Sequence, residues 1–240
     1  MKKLLSIAAA TALIFSFANA GGKIVEEAYT PPVPVPTWTG PYIGLKIGYI
    51  KGDGDINLKS TNINTTFSPN SFTLKPDGVD GGLYAGYNWE SPSGWLFGIE
   101  GDFDLMSADE KKSITQTDYP AGIAAGGIRN TNEYKLKQKW DASLRLRVGK
   151  VIDDKWMPYI TGGITWARLE ATYNGNKDSK TATGWTLGAG VEVKFTNNLF
   201  GRIQYRYSDY EKEDFSHGNG ITSTVDYKSH SIVAGIHYKF

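Results

Sequence analysis

Three histidines are the residues of this chain best suited to acid–base or metal chemistry. His217 lies in a polar stretch where we expect a solvated side chain, and no two histidines have the spacing of metal ligands. Ser229 and Ser231 flank His230. On an extended strand both serines face away from the histidine, and no acid lies on its face, so a Ser-His-acid hydrolase site is disfavoured. The pattern predicts no catalytic residue, no metal site and no cofactor.

Composition narrows the class of protein further. The 240 residues include 26 basic and 25 acidic side chains, 28 glycines, 7 Trp, 14 Tyr and 10 Phe, but no cysteine. The near-neutral charge argues against nucleic-acid binding, and the absence of cysteine excludes disulfides, thiolate zinc sites and cysteine nucleophiles. Only 40% of residues are hydrophobic and the mean hydropathy is −0.36, which excludes a protein of several membrane-spanning helices.

The N-terminal region is predicted to be an export signal and a tether. Two lysines precede a short apolar run, and Ala18 and Ala20 are the small residues that signal peptidase requires, so residues 1–20 are predicted to be a cleaved signal peptide. Residues 21–37 are rich in proline and are predicted to form an extended periplasmic tether. A two-lysine start and a cysteine-free exported chain suggest a Gram-negative envelope protein, and residues 38–240 are expected to form its one domain.

Eight segments of that domain alternate apolar and polar residues with period two, which is typical of strands with one apolar face. The segments are 42–49, 82–89, 95–105, 140–149, 156–168, 184–195, 202–208 and 231–240. Most are longer than the roughly 5 to 6 residues of an ordinary strand. They are close to the 9 to 11 residues that a tilted membrane strand needs.

The connections between these segments alternate strictly between short and long. The short ones are 90–94, 152–155 and 196–198, and the long polar ones are 52–78, 107–137, 170–182 and 211–226. Short periplasmic turns and long extracellular loops are typical of an outer-membrane barrel. We therefore predict an all-β fold, an eight-stranded antiparallel transmembrane up-and-down β-barrel.

Tryptophans support this prediction, because amphipathic rings belong at the two lipid–water interfaces of a barrel. We expect Trp38, Trp89, Trp95 and Trp156 at the periplasmic rim and Trp140, Trp166 and Trp185 at the outer rim, where Tyr227 is also expected.

The face opposite the apolar one carries charges of both signs. They are Lys46, Asp80, Glu100, Asp102, Asp104, Asp141, Arg145, Arg147, Glu192, Lys194, Arg202, Arg206 and Lys239. Eight strands leave an interior that side chains can fill, and mixed charges there can pair. We expect a structural interior charge network that closes the barrel to diffusion, with the inward glycines making room for it.

Two motifs carry a resemblance to a known family. The run Trp38 to Gly44, WTGPYIG, follows the proline-rich tether, and the chain ends on alternating aromatics, Tyr238 and Phe240. Together they resemble the outer-membrane β-barrel family of small porin-like surface antigens, related in fold to opacity proteins and the OmpA transmembrane domain. Pro41 departs from the large residue usual there. The resemblance implies that Tyr238 and Phe240 form an assembly signal for the barrel-assembly machinery.

The expected function is that of a non-enzymatic integral outer-membrane protein with surface-exposed loops, which supports envelope integrity, with adhesion or host contact as a further role. The expected partners are outer-membrane lipid, lipopolysaccharide, the assembly machinery and host-surface molecules, but not nucleic acid. The alternative is a small-solute pore or a haem- or ligand-binding surface protein. A lipid-modifying hydrolase is third.

Overall fold

A computed structural model describes residues 38–120 and 126–240, so the predicted signal peptide and the whole of the predicted tether lie outside the described residues. The strands are β1 Gly40–Ser60, β2 Thr65–Ser68, β3 Ser71–Leu74, β4 Asp77–Glu90, β5 Trp95–Asp118, β6 Ile128–Lys150, β7 Trp156–Tyr173, β8 Asn176–Lys194, β9 Leu199–Tyr210, β10 Glu213–Ser216 and β11 Ile221–Lys239. No helix in the described part of the chain is long and apolar enough to cross a membrane.

Eight strands form a closed antiparallel ring in the order β1, β4, β5, β6, β7, β8, β9 and β11. The ring closes between β11 and β1, whose pairing runs from Tyr42 opposite Lys239 to Ser60 opposite Ile221. The short strands β2, β3 and β10 pair beside β5, β1 and β11. The predicted eight-stranded antiparallel up-and-down barrel is therefore confirmed.

The outer surface of the ring carries an apolar band. On β1 the side chains of Ile43, Leu45 and Ile47 are 50%, 60% and 64% exposed, and every other ring strand contributes exposed apolar residues at the same height. Such a belt around a barrel is the surface that lipid covers. Both ends of the described chain and the short turns lie at one end of this band. In the turn between β6 and β7, Asp153 and Asp154 have positive φ, the conformation that a tight reversal requires.

Several ring strands continue far beyond the band, at the end opposite the short turns. Strand β5 has 24 residues and β6 has 23, about twice what a membrane crossing needs. The four predicted long loops, 52–78, 107–137, 170–182 and 211–226, are thus largely strand, and the prediction was wrong for most of their length. We call the continuation the outer extension; it comprises β2, β3, β10 and residues 51–60, 107–118, 128–139, 167–182 and 210–229.

In the outer extension the inward face is apolar and the outward face is polar, the reverse of the arrangement in the membrane band. On β1, Ile56 and Leu58 point inward and are 1% and 2% exposed, while Asp55 and Lys59 lie on the outer face. The polar outer face made these segments look like loops, but alternation with buried apolar residues keeps them in strands.

A β-bulge makes the exchange on β6. The pairing of β6 with β7 shifts between Gln138 and Trp140. Below the bulge Leu144 and Leu146 face outward, but above it Leu136, also an even-numbered residue, faces inward and is fully buried. The extra residue in a bulge reverses the side-chain direction of the strand that follows. The apolar residues of β6 therefore stay at even-numbered positions but face lipid below the bulge and the interior above it.

Two aromatic residues differ from the rim prediction. Trp38 is 1% exposed and packs inside the periplasmic end against Phe200, with ring centroids 4.8 Å apart. Tyr227 is fully buried inside the outer extension, because it lies beyond the exchange of faces. Trp89, Trp95 and Trp156 are about half exposed at the periplasmic end of the band, and Trp185 is similarly exposed at its outer end.

Candidate functional site

The barrel interior within the apolar band holds a cluster of charged side chains. It draws on the inward faces of six ring strands, and every member is less than 8% exposed. Its eleven members are Lys46, Asp80, Glu100, Asp102, Asp104, Asp141, Arg145, Arg147, Glu192, Arg202 and Arg206. We call this set the interior charge network; it contains five cations and six carboxylates.

Glu100 is the centre of the periplasmic half of the network. Its Oε1 accepts from Arg145 Nη2 at 2.7 Å, and its Oε2 accepts from Arg202 Nη1 at 2.5 Å and Arg147 Nη1 at 3.3 Å. The Tyr42 hydroxyl donates to the same Oε2 at 2.8 Å. Arg147 continues the chain to Glu192, at 2.7 Å. The carboxylate of Glu100, on β5, thus contacts side chains of three other strands, β1, β6 and β9.

Asp102 is the centre of the outer half. It accepts from Arg145 Nη2 at 2.5 Å and from Arg206 Nη1 at 3.0 Å, and its Oδ1 lies 3.1 Å from Lys46 Nζ. Lys46 also pairs with Asp104 at 2.7 Å, and Arg206 with Asp141 at 2.8 Å. Because Asp102 and Glu100 share Arg145, the two halves are connected. Asp80 lies beside them without a hydrogen bond or ion pair to another described side chain.

Glycines on neighbouring strands make room for the acids. A Cβ on Gly48 would lie 2.6 Å from Asp80 Oδ1, and a Cβ on Gly82 would collide with Asp104 and with the backbone of Phe103. Larger residues at these positions would displace the acids, as expected of inward glycines in a crowded barrel.

Three acids of the network could in principle hold a cation. Ligand atoms of Asp102, Asp104 and Asp141 lie within 4.8 Å of one another, the only such group among the described residues. Lys46 and Arg206 already place their positive charges against these carboxylates. The arrangement therefore fits a self-contained ion-pair cluster, and we assign no metal to it.

Lys194 and Lys239 were expected in the interior but do not join the network. Lys194 Nζ pairs with Asp154 at 2.7 Å, at the periplasmic turn. Lys239 Nζ donates to the carbonyl oxygen of Thr39 at 3.3 Å. Both lie close to the periplasmic end of their strands, where their long side chains reach the rim instead of the centre.

Above the charge network the interior becomes apolar. Ile50, Met106 and Ala108 form a first layer at the outer edge of the band. A larger cluster fills the outer extension: Ile56, Leu58, Phe72, Leu74, Ile114, Tyr134, Leu136, Ala167, Leu169, Ala171, Tyr173, Ala182, Tyr210, Phe215, Ile221, Val225 and Tyr227. We call it the outer apolar cluster. Sequence reasoning missed it; the signal was the change of apolar residues from odd to even positions along β1 and β5.

His217 belongs to this buried region, so the expectation of a solvated loop histidine was wrong. It is 1% exposed, and its Nε2 lies 2.8 Å from the Ser223 hydroxyl, which also bonds the Tyr134 hydroxyl at 2.9 Å. Burial lowers the pKa of His217 below its ordinary value, although the backbone of Asn176 and the charge of Asp178 oppose that fall. The histidine is therefore neutral at pH 7.

The other two histidines lie on opposite faces of β11. His230 is on the outer surface, where its Nδ1 lies 2.7 Å from the Tyr205 hydroxyl, and the flanking Ser229 and Ser231 are buried on the opposite face. His237 points inward and stacks on Phe200 at 5.1 Å. In this arrangement neither flanking serine faces His230, so they form no nucleophile–base pair with it.

A polar cavity of about 220 Å³ lies at the outermost end of the barrel, above the outer apolar cluster. Its lining includes Asn62, Gln116, Asp118, Asn176, His217 and Asn219. We call it the mouth pocket. It is formed where the ends of β1, β2, β5, β7, β8 and β11 meet.

The closed eight-stranded ring, with its apolar outer band and polar interior, agrees with the result of comparing the sequence with known protein families. The model for the outer membrane protein beta-barrel domain matches residues 9–240. The chain belongs to this family.

Relatives of this outer-membrane barrel cover nearly its whole length. The 25 kDa outer-membrane immunogenic protein of Brucella canis is 31% identical over 246 residues, which are 99% of this chain and 98% of that one. The 22 kDa outer membrane protein of Rhizobium leguminosarum bv. viciae is 30% identical over 210 residues, 88% of this chain and 82% of that one. The predicted outer-membrane location and the resemblance to surface antigens are confirmed.

Among solved structures, the outer membrane protein OprG from Pseudomonas aeruginosa is similar in fold. The TM-score is 0.51 at 15% identity, over 84% of this chain and 96% of that one. This likeness bears on the fold alone.

In an outer-membrane barrel of this kind the short turns are periplasmic, so the outer extension and the mouth pocket stand on the cell surface.

Proposed function

We propose that this protein is a closed, non-enzymatic barrel that supports the integrity of the outer membrane and presents a rigid extension for adhesion or host contact. The observation that carries the proposal is the filling of the interior by two successive layers. The interior charge network occupies the membrane band, and the outer apolar cluster occupies the extension above it.

Both layers oppose the passage of solutes. An ion crossing the band would have to displace Glu100 or Asp102 from buried guanidinium partners, and breaking a buried pair costs about 3–5 kcal/mol. It would next meet an apolar layer in which an unpaired charge has no partner. The small-pore alternative therefore gains no support from the described interior.

Burial of His217 also weakens the haem alternative. Its Nε2 is bonded to Ser223 and its side chain is almost fully buried, so a haem iron could reach it only after the mouth opened. His230 is exposed, but it lies on the outer face at the rim of the band, where lipid surrounds the barrel.

The outer extension supports the surface role. About ten residues of β1 lie beyond the band. At roughly 3.3 Å each and a tilt of about 35–45°, they place its tip on the order of 25 Å above the lipid surface. Its outer face is charged, with pairs such as Lys111 with Glu133 and Lys135 with Asp109. The Brucella relatives carry the name immunogenic, which is consistent with an exposed surface in that family.

Lipid, lipopolysaccharide and the assembly machinery are the proposed envelope partners. The apolar band and its half-exposed tryptophans suit lipid, and Lys228 at the outer rim suits lipid phosphates. Tyr238 and Phe240 are 49% and 69% exposed at the chain end, where the assembly machinery can reach them. Their assembly role is part of the proposal.

Two measurements test this function. Refolded protein in planar bilayers is expected to show no frequent, long-lived openings, and steady conductance would refute the closed barrel. A deletion strain is expected to become more sensitive to detergent and to bind host cells less, with both defects restored by the wild-type chain. If neither defect appears, the envelope and adhesion roles are wrong. Unchanged lipid A mass spectra in the same strain are expected for a non-enzymatic protein.

A further inference from the structure

The mouth pocket combines a surface position with a preorganised polar lining. Asp118 accepts from the Thr65 hydroxyl at 2.7 Å and from Gln116 Nε2 at 3.1 and 3.0 Å. Gln116 Oε1 in turn accepts from Asn132 Nδ2 at 3.2 Å and from the Tyr173 hydroxyl at 3.1 Å. These side chains are held by one another, so a ligand would not have to order them on binding.

Other groups of the pocket retain unused hydrogen-bonding capacity. The side-chain amides of Asn174, Asn176 and Asn219 line it and make no hydrogen bond to another described side chain. His217 also lines it, and its ring nitrogens are buried, so the imidazole can report on the pocket without bonding a ligand itself. A polar ligand can bond the three amides without first breaking a hydrogen bond between described side chains, which favours its binding.

The charge of the lining selects the class of ligand. No lysine or arginine is among the described residues that line the pocket, so the lining offers an anion no counter-charge. Asp118 is the single acid, and its oxygens already accept three hydrogen bonds, which leaves a poor site for a metal ion. Neutral amides and hydroxyls that both donate and accept suit a neutral ligand with many hydroxyl groups.

The size of the pocket limits such a ligand to a small unit. Its volume of about 220 Å³ is below the range of roughly 300–1,000 Å³ that drug-sized ligands occupy. We propose that the mouth pocket binds the terminal unit of a neutral glycan, one sugar ring presented from outside the cell. This proposal does not depend on the envelope or adhesion role, because the barrel could carry the pocket whichever of those roles it has.

The histidines provide a direct readout. Full-length mature protein, refolded in an amine-oxide detergent without sugar headgroups, is titrated with free galactose, mannose, fucose and N-acetylglucosamine while the imidazole NMR signals are followed. A sugar in the mouth pocket is expected to shift the signals of His217 in a saturable way. The signals of His230 and His237, which lie far from the pocket on the outer face and at the periplasmic end, are expected to stay in place.

Two variants separate specific binding from general effects. Asn176→Ala removes an unused amide and Asp118→Asn removes the charge while keeping the shape, and each is expected to weaken binding by about three- to tenfold, the effect of one hydrogen bond. Asn57→Ala, an exposed asparagine on the outer face of β1, is the matched control and should bind like the wild type. Heat-modifiable gel migration verifies that each variant is folded.

The source of the glycan is decided by a second arm. Oligosaccharide released from the bacterium's own lipopolysaccharide and oligosaccharides released from host-cell surfaces are compared by the same His217 shift. Absence of a His217 shift with all free sugars and both extracts, or equal weakening by Asn57→Ala, would overturn the proposal. Binding without a His217 shift would also overturn it, because the ligand would then sit elsewhere.

Discussion

Replacing Glu100 by glutamine tests whether the interior charge network stabilises the barrel. Glutamine has nearly the same volume, so the packing of the interior is preserved. The change removes the charge that faces Arg145, Arg147 and Arg202. In the wild type both carboxylate oxygens accept hydrogen bonds, Oε1 from Arg145 and Oε2 from the Tyr42 hydroxyl among others. In either orientation of the glutamine amide, its NH₂ group therefore faces another donor.

The magnitude follows from the burial of the site. Glu100 is 2% exposed and its three arginine partners are 3% exposed or less, so solvent screens little of the interaction. Removing one partner of a buried ion pair costs about 3–5 kcal/mol. The matched control is Glu133→Gln, which breaks the pair with Lys111 on the outer surface, where both side chains are more than half exposed. An exposed pair contributes about 0–1 kcal/mol.

The assay is equilibrium unfolding in urea of barrels refolded into lipid vesicles, followed by tryptophan fluorescence. The free energy of unfolding is expected to fall by about 3–5 kcal/mol for Glu100→Gln and by less than about 1 kcal/mol for Glu133→Gln, with unchanged urea dependence. Equal effects of the two substitutions would refute the argument that the network is a stabilising structural element.

Two other predictions concern the outer extension. Leu136→Ala should destabilise the outer extension by about 2–5 kcal/mol because it leaves a cavity, and amide hydrogens of β6 should then exchange faster. The control is Leu144→Ala, which removes a lipid-facing side chain; equal exchange rates in the two variants would contradict an apolar core in the extension. Since burial lowers the pKa of His217, the unfolded state binds its proton more readily, so stability is complete above pH ~6.5 and falls below it. Proteolysis at the turn 217–220 should therefore increase below pH ~6.5, and His217→Gln should abolish this dependence.

The sequence was sufficient for the transmembrane part of the fold. Period-two alternation, short turns and paired aromatic rims specify eight membrane strands. Residues that the inward parity selects, such as Glu100, Arg147 and Arg206, are buried. Parity determines direction but not height along the barrel. Lys194 and Lys239 therefore appeared to be interior residues, although their positions near the strand ends bring them to the rim.

The outer extension could not be recognised from a single apolar parity. On β1 the apolar positions change from odd, at Ile47, to even, at Ile56, with no turn between them. On β6 the alternation continues and a bulge near Gln138 changes the facing of the chain instead. The mouth pocket and the burial of His217 depend on which strand tips meet, and ring closure brings together residues more than 100 positions apart.

The exchange of faces also fixes how deeply the barrel sits in the bilayer. A shift of two residues along the strands, roughly 7 Å, keeps every side chain on its own side of the sheet, so pairing and parity alone would permit it. Such a shift would draw Lys51 into hydrocarbon or lift Tyr49 and Leu105 into water. The position along the strands where the two patterns meet therefore sets the depth of the barrel in the bilayer, and it keeps the mouth pocket at a constant height above the lipid.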